Sequence, residues 1–479
     1  MKKYLYILGA TVLLAACSDK IDSPEQSTQH QHQETTYSNE QLSLVSNTGQ
    51  QQLTYPELLT PIEENGNNVT YELTAKEGKM TFVDGIETDT YGYNGDFLGP
   101  VLRLTKGQKV SIKLTNELSE PTTFHWHGLE IAGDVDGGPH AEFQPGETKT
   151  ITFTVEQGAA TLWYHPHPMG YTAEQVYKGL AGLMYIDDEN SEGLSLPDEY
   201  GINDFPIILQ DRTFIDGKLQ YKNVANTMST LGDTVMINGV VNPKMDVQNG
   251  KVRLRILNGS NARNYQLHFN NDIPFQLIAT DGGFVNEAKS MTTLSLGAGE
   301  RAEIVVDVTD LAHEQIFLMD DEINLLPIHV TNGGQASNMD TQLNDTPSAE
   351  ELFEIEPTKH ITLEGMTSNF LINGQTYNMD RIDVKQKQGE TEIWEIENII
   401  SDEGAMAHPF HVHGTQFTIV SVDGEVPDES LQGYKDTVTI QPNQKIRIAI
   451  SFPHKGIYMF HCHILEHEDA GMMGQIEVY

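Results

Sequence analysis

A pattern that recurs three times sets the architecture of this chain. Lys106-Gly107-Gln108-Lys109-Val110 runs on to Asn116, Asn249-Gly250-Lys251-Val252 to Asn258, and Gln388-Gly389-Glu390-Thr391-Glu392-Ile393 to Asn398. Each is a glycine turn, an alternating strand and then asparagine. A second set follows the first: Pro145-Gly146-Glu147, Ala298-Gly299-Glu300 and Pro442-Asn443-Gln444, each leading into a strand. The interval of about 140 to 150 residues is the length of one β-sandwich. The 479 residues are too many for one core and are expected to form three similar domains, at 55–192, 198–345 and 355–479. The acidic run Asp187-Asp188-Glu189-Asn190 and the segment from Asn338 to Glu356 are the expected joins.

Between the turns, apolar and polar residues alternate, as in Val110-Ser111-Ile112-Lys113-Leu114 and Ile151-Thr152-Phe153-Thr154-Val155. Such segments are half-buried strands. Long helical periodicity is scarce, so the fold class is all-β.

The last domain closes with His461-Cys462-His463-Ile464-Leu465-Glu466-His467-Glu468-Asp469-Ala470-Gly471-Met472-Met473. On a strand, His461 and His463 share one face and Cys462 takes the other. A thiolate, imidazoles and a late methionine at a strand end are the donor set of a blue-copper electron-transfer site. The flanking histidines point away from that site and must serve a different metal. One strand would then join two metal centres through the Cys462 backbone.

Three further stretches supply the remaining donors: His125-Trp126-His127-Gly128, His165-Pro166-His167, and His408-Pro409-Phe410-His411-Val412-His413-Gly414. Each His-x-His pair aims both imidazoles to one side. Eight histidines in four pairs, from the first and last domains, can hold three coppers where those domains meet. His408 lies off the face of His411 and His413 and is free to join Cys462, His467 and Met472. Zinc needs fewer imidazoles and carries no electrons. The second domain has only the scattered His268, His313 and His329, expected to be structural, and would space and orient its neighbours.

Cys17 and Cys462 are the only cysteines. Lys2 and Lys3 precede a short apolar run from Tyr4 to Ala16, which describes a secretory signal (1–17) and not a spanning helix. Leu14-Ala15-Ala16-Cys17 resembles the lipobox of bacterial lipoproteins. By that resemblance Cys17 becomes a lipid-bearing N-terminus and the protein is anchored to a membrane outside the cytoplasm, at the cell surface or in the periplasm. Residues 18–54 are expected to be a flexible tether, with His30 and His32 as linker residues. The net charge of −40 excludes nucleic acid as a partner. A solvated acidic surface explains that charge as well as a cation-attracting one does. The oligomeric state is left open, with a monomer favoured.

The four histidine motifs resemble those of the multicopper oxidases. Tyr93-Asn94-Gly95, Arg255 to Ser260, Ile372-Asn373-Gly374-Gln375 and Lys435-Asp436-Thr437-Val438 are family-like as well. The resemblance implies cupredoxin-like Greek-key sandwiches and four copper ions. It gives a type 1 copper to His408, Cys462, His467 and Met472, and a type 2 copper to His125 and His411. One type 3 copper goes to His127, His165 and His463, the other to His167, His413 and His461. Asp136 and Glu468 fall where the family has proton-relay acids. The implied activity is one-electron oxidation of a substrate coupled to four-electron reduction of dioxygen to water. Met406, two residues before His408, resembles the copper-efflux cuprous oxidases and is a soft ligand for Cu(I), with Asp402 and Glu403 beside it. Two features depart from that subgroup. A Met-rich insertion is absent between 310 and 370, where only Met319, Met339 and Met366 occur, and Gly404 stands where an acid is common. A laccase-like oxidase of phenols or aromatic amines, and a non-catalytic copper store or delivery protein, are the alternatives.

Overall fold

The computed structural model describes residues 44–479, apart from 84, 222–228, 335–337, 347–348 and 403. Among these the chain is all-β. Three two-sheet sandwiches follow one another, with sheets of five and four, seven and six, and six and five strands.

The recurring sequence pattern marks the same structural unit three times. The strands Lys109–Glu117, Lys251–Asn258 and Glu392–Asn398 each have a parallel neighbour on one side and an antiparallel one on the other. The antiparallel partners, Thr148–Thr154, Arg301–Asp307 and Lys445–Ile450, are the strands that open after the second turn set. Asn116, Asn258 and Asn398 are fully buried. Each amide donates to two backbone carbonyls: of Glu120 and Phe143, of Arg263 and Leu296, and of Met406 and Ile440. A buried amide must find such partners, so each asparagine ties its strand end to the loop beyond.

The tether expectation for 18–54 needs correction at its end. Leu44 and Leu53 are buried in the core of the second sandwich. Gln51–Gln52 adds a parallel edge strand to its six-stranded sheet, beside Pro243–Gln248. Two leucines in a polar context were enough to seat this stretch, because an open sheet edge could accept it. The earlier part of the tether, with Cys17, His30 and His32, lies outside the described residues.

Four strands and two short helices carry the candidate site. They are β1 (His125–His127), β2 (Ala160–His165) and α1 (Thr172–Lys178) in the first sandwich, then β3 (His408–Val412), β4 (Gly456–Cys462) and α2 (Leu465–Asp469) in the third. β1 pairs antiparallel with β2, setting His125 opposite His165. β3 pairs antiparallel with β4, setting His411 opposite His461 and Phe410 opposite Cys462. Paired residues share a sheet face, so His411 and His461 look one way and Cys462 the other. His408, two residues before Phe410, falls on the cysteine's face.

Candidate metal centre

All eight histidines of the four pairs converge, and none is more than 1% exposed. His125 stacks on His413 and His127 on His411, each pair with ring centroids 3.7 Å apart, across the boundary between the first and third sandwiches.

Backbone and carboxylate acceptors fix which nitrogen is free in six of the eight rings. A carbonyl only accepts, so the ring nitrogen facing it carries the proton. Nδ1 donates to the carbonyl of Asp136 in His125 (3.0 Å), of Pro166 in His165 (2.9 Å), of Asp436 in His411 (2.8 Å) and of Cys462 in His461 (3.0 Å). His413 Nδ1 donates to Asp136 Oδ2 at 2.8 Å, and His167 Nδ1 lies 3.3 Å from Glu468 Oε1. His125, His165, His411, His461 and His413 therefore turn a bare Nε2 inward, and His167 presents its Nε2 to that of His461. His127 is the exception: its Nε2 donates to Asp436 Oδ1 at 2.9 Å, which leaves Nδ1 free, 3.4 Å from His165 Nε2.

The free nitrogens form groups. Nε2 of His461 is 3.2 Å from that of His167 and 3.1 Å from that of His413. His125, His127 and His165 form another tight set, as do His125, His411 and His413. Nε2 of His125 and of His411 and both ring nitrogens of His463 are buried without a partner. Such atoms cost roughly 1–3 kcal/mol each unless something binds them. Burial, with repulsion from neighbouring imidazoles, holds His165, His167, His413 and His463 well below the usual imidazole range. Neutral, inward-facing lone pairs are what a metal requires.

On the opposite face of β4, Cys462 Sγ lies 3.4 Å from His408 Nδ1 and 3.6 Å from His467 Nδ1. His408 Nε2 donates to the Gly365 carbonyl at 3.1 Å, leaving Nδ1 for the sulfur side. Met472 is fully buried in the same cluster, and its carbonyl accepts from the Cys462 N–H. Burial pushes the Cys462 thiol up and His408 down to about 4. A protonated thiol beside neutral imidazoles is the metal-free form of a thiolate site, whose proton a soft cation displaces.

Both sequence-predicted acids reach the cluster. Asp136 is bound to His413, and its carbonyl takes His125. Glu468 sits between His167 Nδ1 and His461 Nδ1, at 3.3 and 3.4 Å. Burial, then the charge of Asp469, pushes the Glu468 carboxyl well above the usual range. Met406 is 7% exposed and packs in the cluster that holds Cys462 and Met472. Asp402 is exposed on the Ser401–Gly404 turn, and Glu403 lies outside the described residues.

Sequence reasoning left several contributors without a role. Met366 was noted only as widely spaced, yet it follows Gly365, the acceptor for His408. A Cβ at Gly404, whose φ is +103°, would come within 2.8 Å of Met366 Sδ. An acid at 404 would take a positive φ that favours glycine and would have to displace the Met366 side chain. Phe370 stacks on His467 with centroids 3.8 Å apart. Asp436, seen only within a family-like segment, holds His127 through its carboxylate and His411 through its carbonyl. No local signal marks these residues, because their partners are remote in sequence.

Three stretches, 66–191, 203–333 and 347–479, match family models described as multicopper oxidase. Residues 1–18 match a prokaryotic membrane lipoprotein lipid attachment site, which supports a lipid-anchored lipoprotein. Among the described residues no helix is long and apolar enough to cross a membrane. The chain is 48% identical over 437 residues to "Multicopper oxidase mco" of Staphylococcus aureus, covering 91% of this chain and 94% of that protein. It is 31% identical over 475 residues to "Cell division protein FtsP" of Escherichia coli (strain K12), covering 91% and 94%. The crystal structure of a laccase from Pediococcus acidilactici superposes with a TM-score of 0.87 at 41% identity, covering 91% of this chain and 95% of that one. With three cupredoxin-like domains and a histidine–cysteine donor set suited to copper, the chain belongs to the multicopper oxidase family.

Proposed function

We propose that the protein is a lipid-anchored, extracytoplasmic oxidase that takes single electrons from Cu(I) and uses them to reduce dioxygen to water, limiting copper toxicity. The observation that carries this reading is the two-faced strand β4. Cys462 faces His408 and His467, while its neighbours His461 and His463 reach into the eight-histidine cluster.

His408, Cys462, His467 and Met472 would hold one copper, and His125 and His411 a second. His127, His165 and His463 would hold a third, and His167, His413 and His461 a fourth. Bound copper supplies one-electron chemistry at the thiolate and dioxygen reduction at the histidine cluster. The chain supplies the connection, since Cys462 is bonded directly to both His461 and His463. Asp136 contacts His413 and His125, Glu468 lies beside His167 and His461, and both would deliver protons.

Cu(I) as donor is supported by two buried methionines: Met406, two residues before His408, and Met366, next to Gly365, whose carbonyl accepts from His408. Met366 and Met406 are 4% and 7% exposed, and soft sulfur ligands favour Cu(I) over hard cations. A laccase-like oxidase of aromatic donors is the second reading, favoured by the name of the Pediococcus relative. Copper stoichiometry with the visible spectrum, then turnover of Cu(I) against a phenol, tests the proposal. Negligible Cu(I) oxidation beside brisk phenol turnover overturns the substrate. Four bound coppers without oxygen uptake would leave a storage or delivery protein.

A further inference from the structure

We propose that Arg301, from the sandwich that gives the cluster no histidine, is a positioning residue that fixes the inward-facing nitrogen of His127 and the placement of His411. Its metal-binding consequence rests on the copper reading above; its effect on the His127 tautomer does not.

Arg301 is fully buried, and all five of its guanidinium N–H groups are used. Nε donates to the Thr161 carbonyl of the first sandwich at 3.2 Å. Nη1 and Nη2 donate to the carbonyls of Gly299 and Asp281 in its own sandwich, at 3.1 and 3.0 Å. The remaining two grip the Asp436 carboxylate of the third sandwich in a bidentate pair, at 2.7 and 2.5 Å. One guanidinium thus touches all three sandwiches. Asp436 Oδ1 also accepts from Thr437 Oγ1 at 2.8 Å and Oδ2 from Gln416 Nε2 at 3.2 Å, so donors face both oxygens.

That arrangement of donors decides the tautomer. A carboxylate only accepts, so His127 must carry its proton on Nε2, which leaves Nδ1 toward the cluster. Without the fork the carboxyl group could turn away from His127 and permit the opposite tautomer. The Asp436 carbonyl takes His411 Nδ1, so the same residue orients a ring from the third sandwich. Packing leaves no slack: a Cβ at Gly128 would fall 2.7 Å from both the guanidinium and Asp436 Oδ2. Lysine has the charge but not the planar fork that satisfies five acceptors.

The test uses metal-free protein with 15N-labelled histidine. Long-range proton–nitrogen spectra report the tautomer, and His127 is assigned by its loss in His127→Gln. Wild type should show His127 protonated on Nε2. Arg301→Lys should show mixed tautomers and a copper affinity at the histidine cluster lowered roughly 10–100-fold, with the Cys462-centred absorption intact. Arg301→Gln, which buries no unpaired cation, should change the tautomer further if the lysine variant folds poorly. Arg253→Lys, at a buried arginine of the same sandwich that bonds neither Arg301 nor Asp436, should leave His127 unchanged. His127 protonated on Nδ1 in wild type, an unchanged tautomer in both Arg301 variants, or an equal change in Arg253→Lys overturns the proposal. Wild type that binds no copper defeats the copper reading, while the tautomer comparison still decides the role of Arg301.

Discussion

Asp136 Oδ2 lies 2.8 Å from His413 Nδ1, joining a carboxylate of the first sandwich to an imidazole of the third. The contact orients the ring, and it also places a titratable oxygen beside the proposed oxygen-reducing cluster. Asp136→Asn keeps the shape but cannot take up a proton. It should lower oxygen consumption by roughly 10²-fold, a typical loss for a missing proton-transfer group. Copper content and blue colour should stay near wild type. Unchanged turnover under saturating donor would remove Asp136 from the proton path.

Cys462→Ser separates the two centres. The thiol lies 3.4 Å from His408 Nδ1 and 3.6 Å from His467 Nδ1, so its replacement should abolish the intense visible absorption of a copper thiolate. His461 and His463 remain, and the copper held by the histidine cluster should be largely retained. Metal analysis beside the spectrum checks this. Loss of all copper would mean the centres do not assemble independently.

Met366→Leu and Met406→Leu conserve volume, and each should cost under about 1.5 kcal/mol of stability. Each removes a buried thioether. The expected result is a roughly ten-fold fall in kcat/KM for Cu(I) with phenol turnover unchanged. Parallel decline on both substrates would point to a disturbed Cys462 centre and not to a Cu(I) site.

Glu303 gives a pH signature independent of copper. Burial would raise its carboxyl, but Arg253 and Arg255 outweigh burial and hold it down from 4.5 to about 2. A value lower in the folded than in the unfolded state means the carboxylate stabilises above about 4.5 and loses that contribution as pH falls toward 2. The shift corresponds to something on the order of 3 kcal/mol. Glu303→Gln in metal-free protein should be less stable by about 3–5 kcal/mol near neutrality, since it leaves buried arginines short of charge. Urea titrations should show that gap constant above about pH 5 and narrowing below 4.5. A gap that widens on acidification would contradict the assignment.

The histidine pairs were legible because strand geometry is a strict two-residue alternation. Spacing alone put His411 with His413, set His408 on the other face and split Cys462 from its neighbours. The glycine turns and terminal asparagines likewise disclosed the threefold repeat. What spacing could not disclose was anything decided by contact across sandwiches. Arg301 stood directly after a recognised turn, yet its target Asp436 is 135 positions away. Met366 looked isolated until the loop brought it against Gly404. Leu44 and Leu53 read as linker because nothing local shows that a distant sheet has an open edge.

That last feature bears on how force enters the molecule. Val45 bridges to Thr234 and Gln51–Gln52 lines an edge strand, both in the second sandwich. Tension applied to the chain ahead of Leu44 would therefore be borne first by the sandwich without metal donors. The histidine clusters at the seam of the other two would lie off that load path.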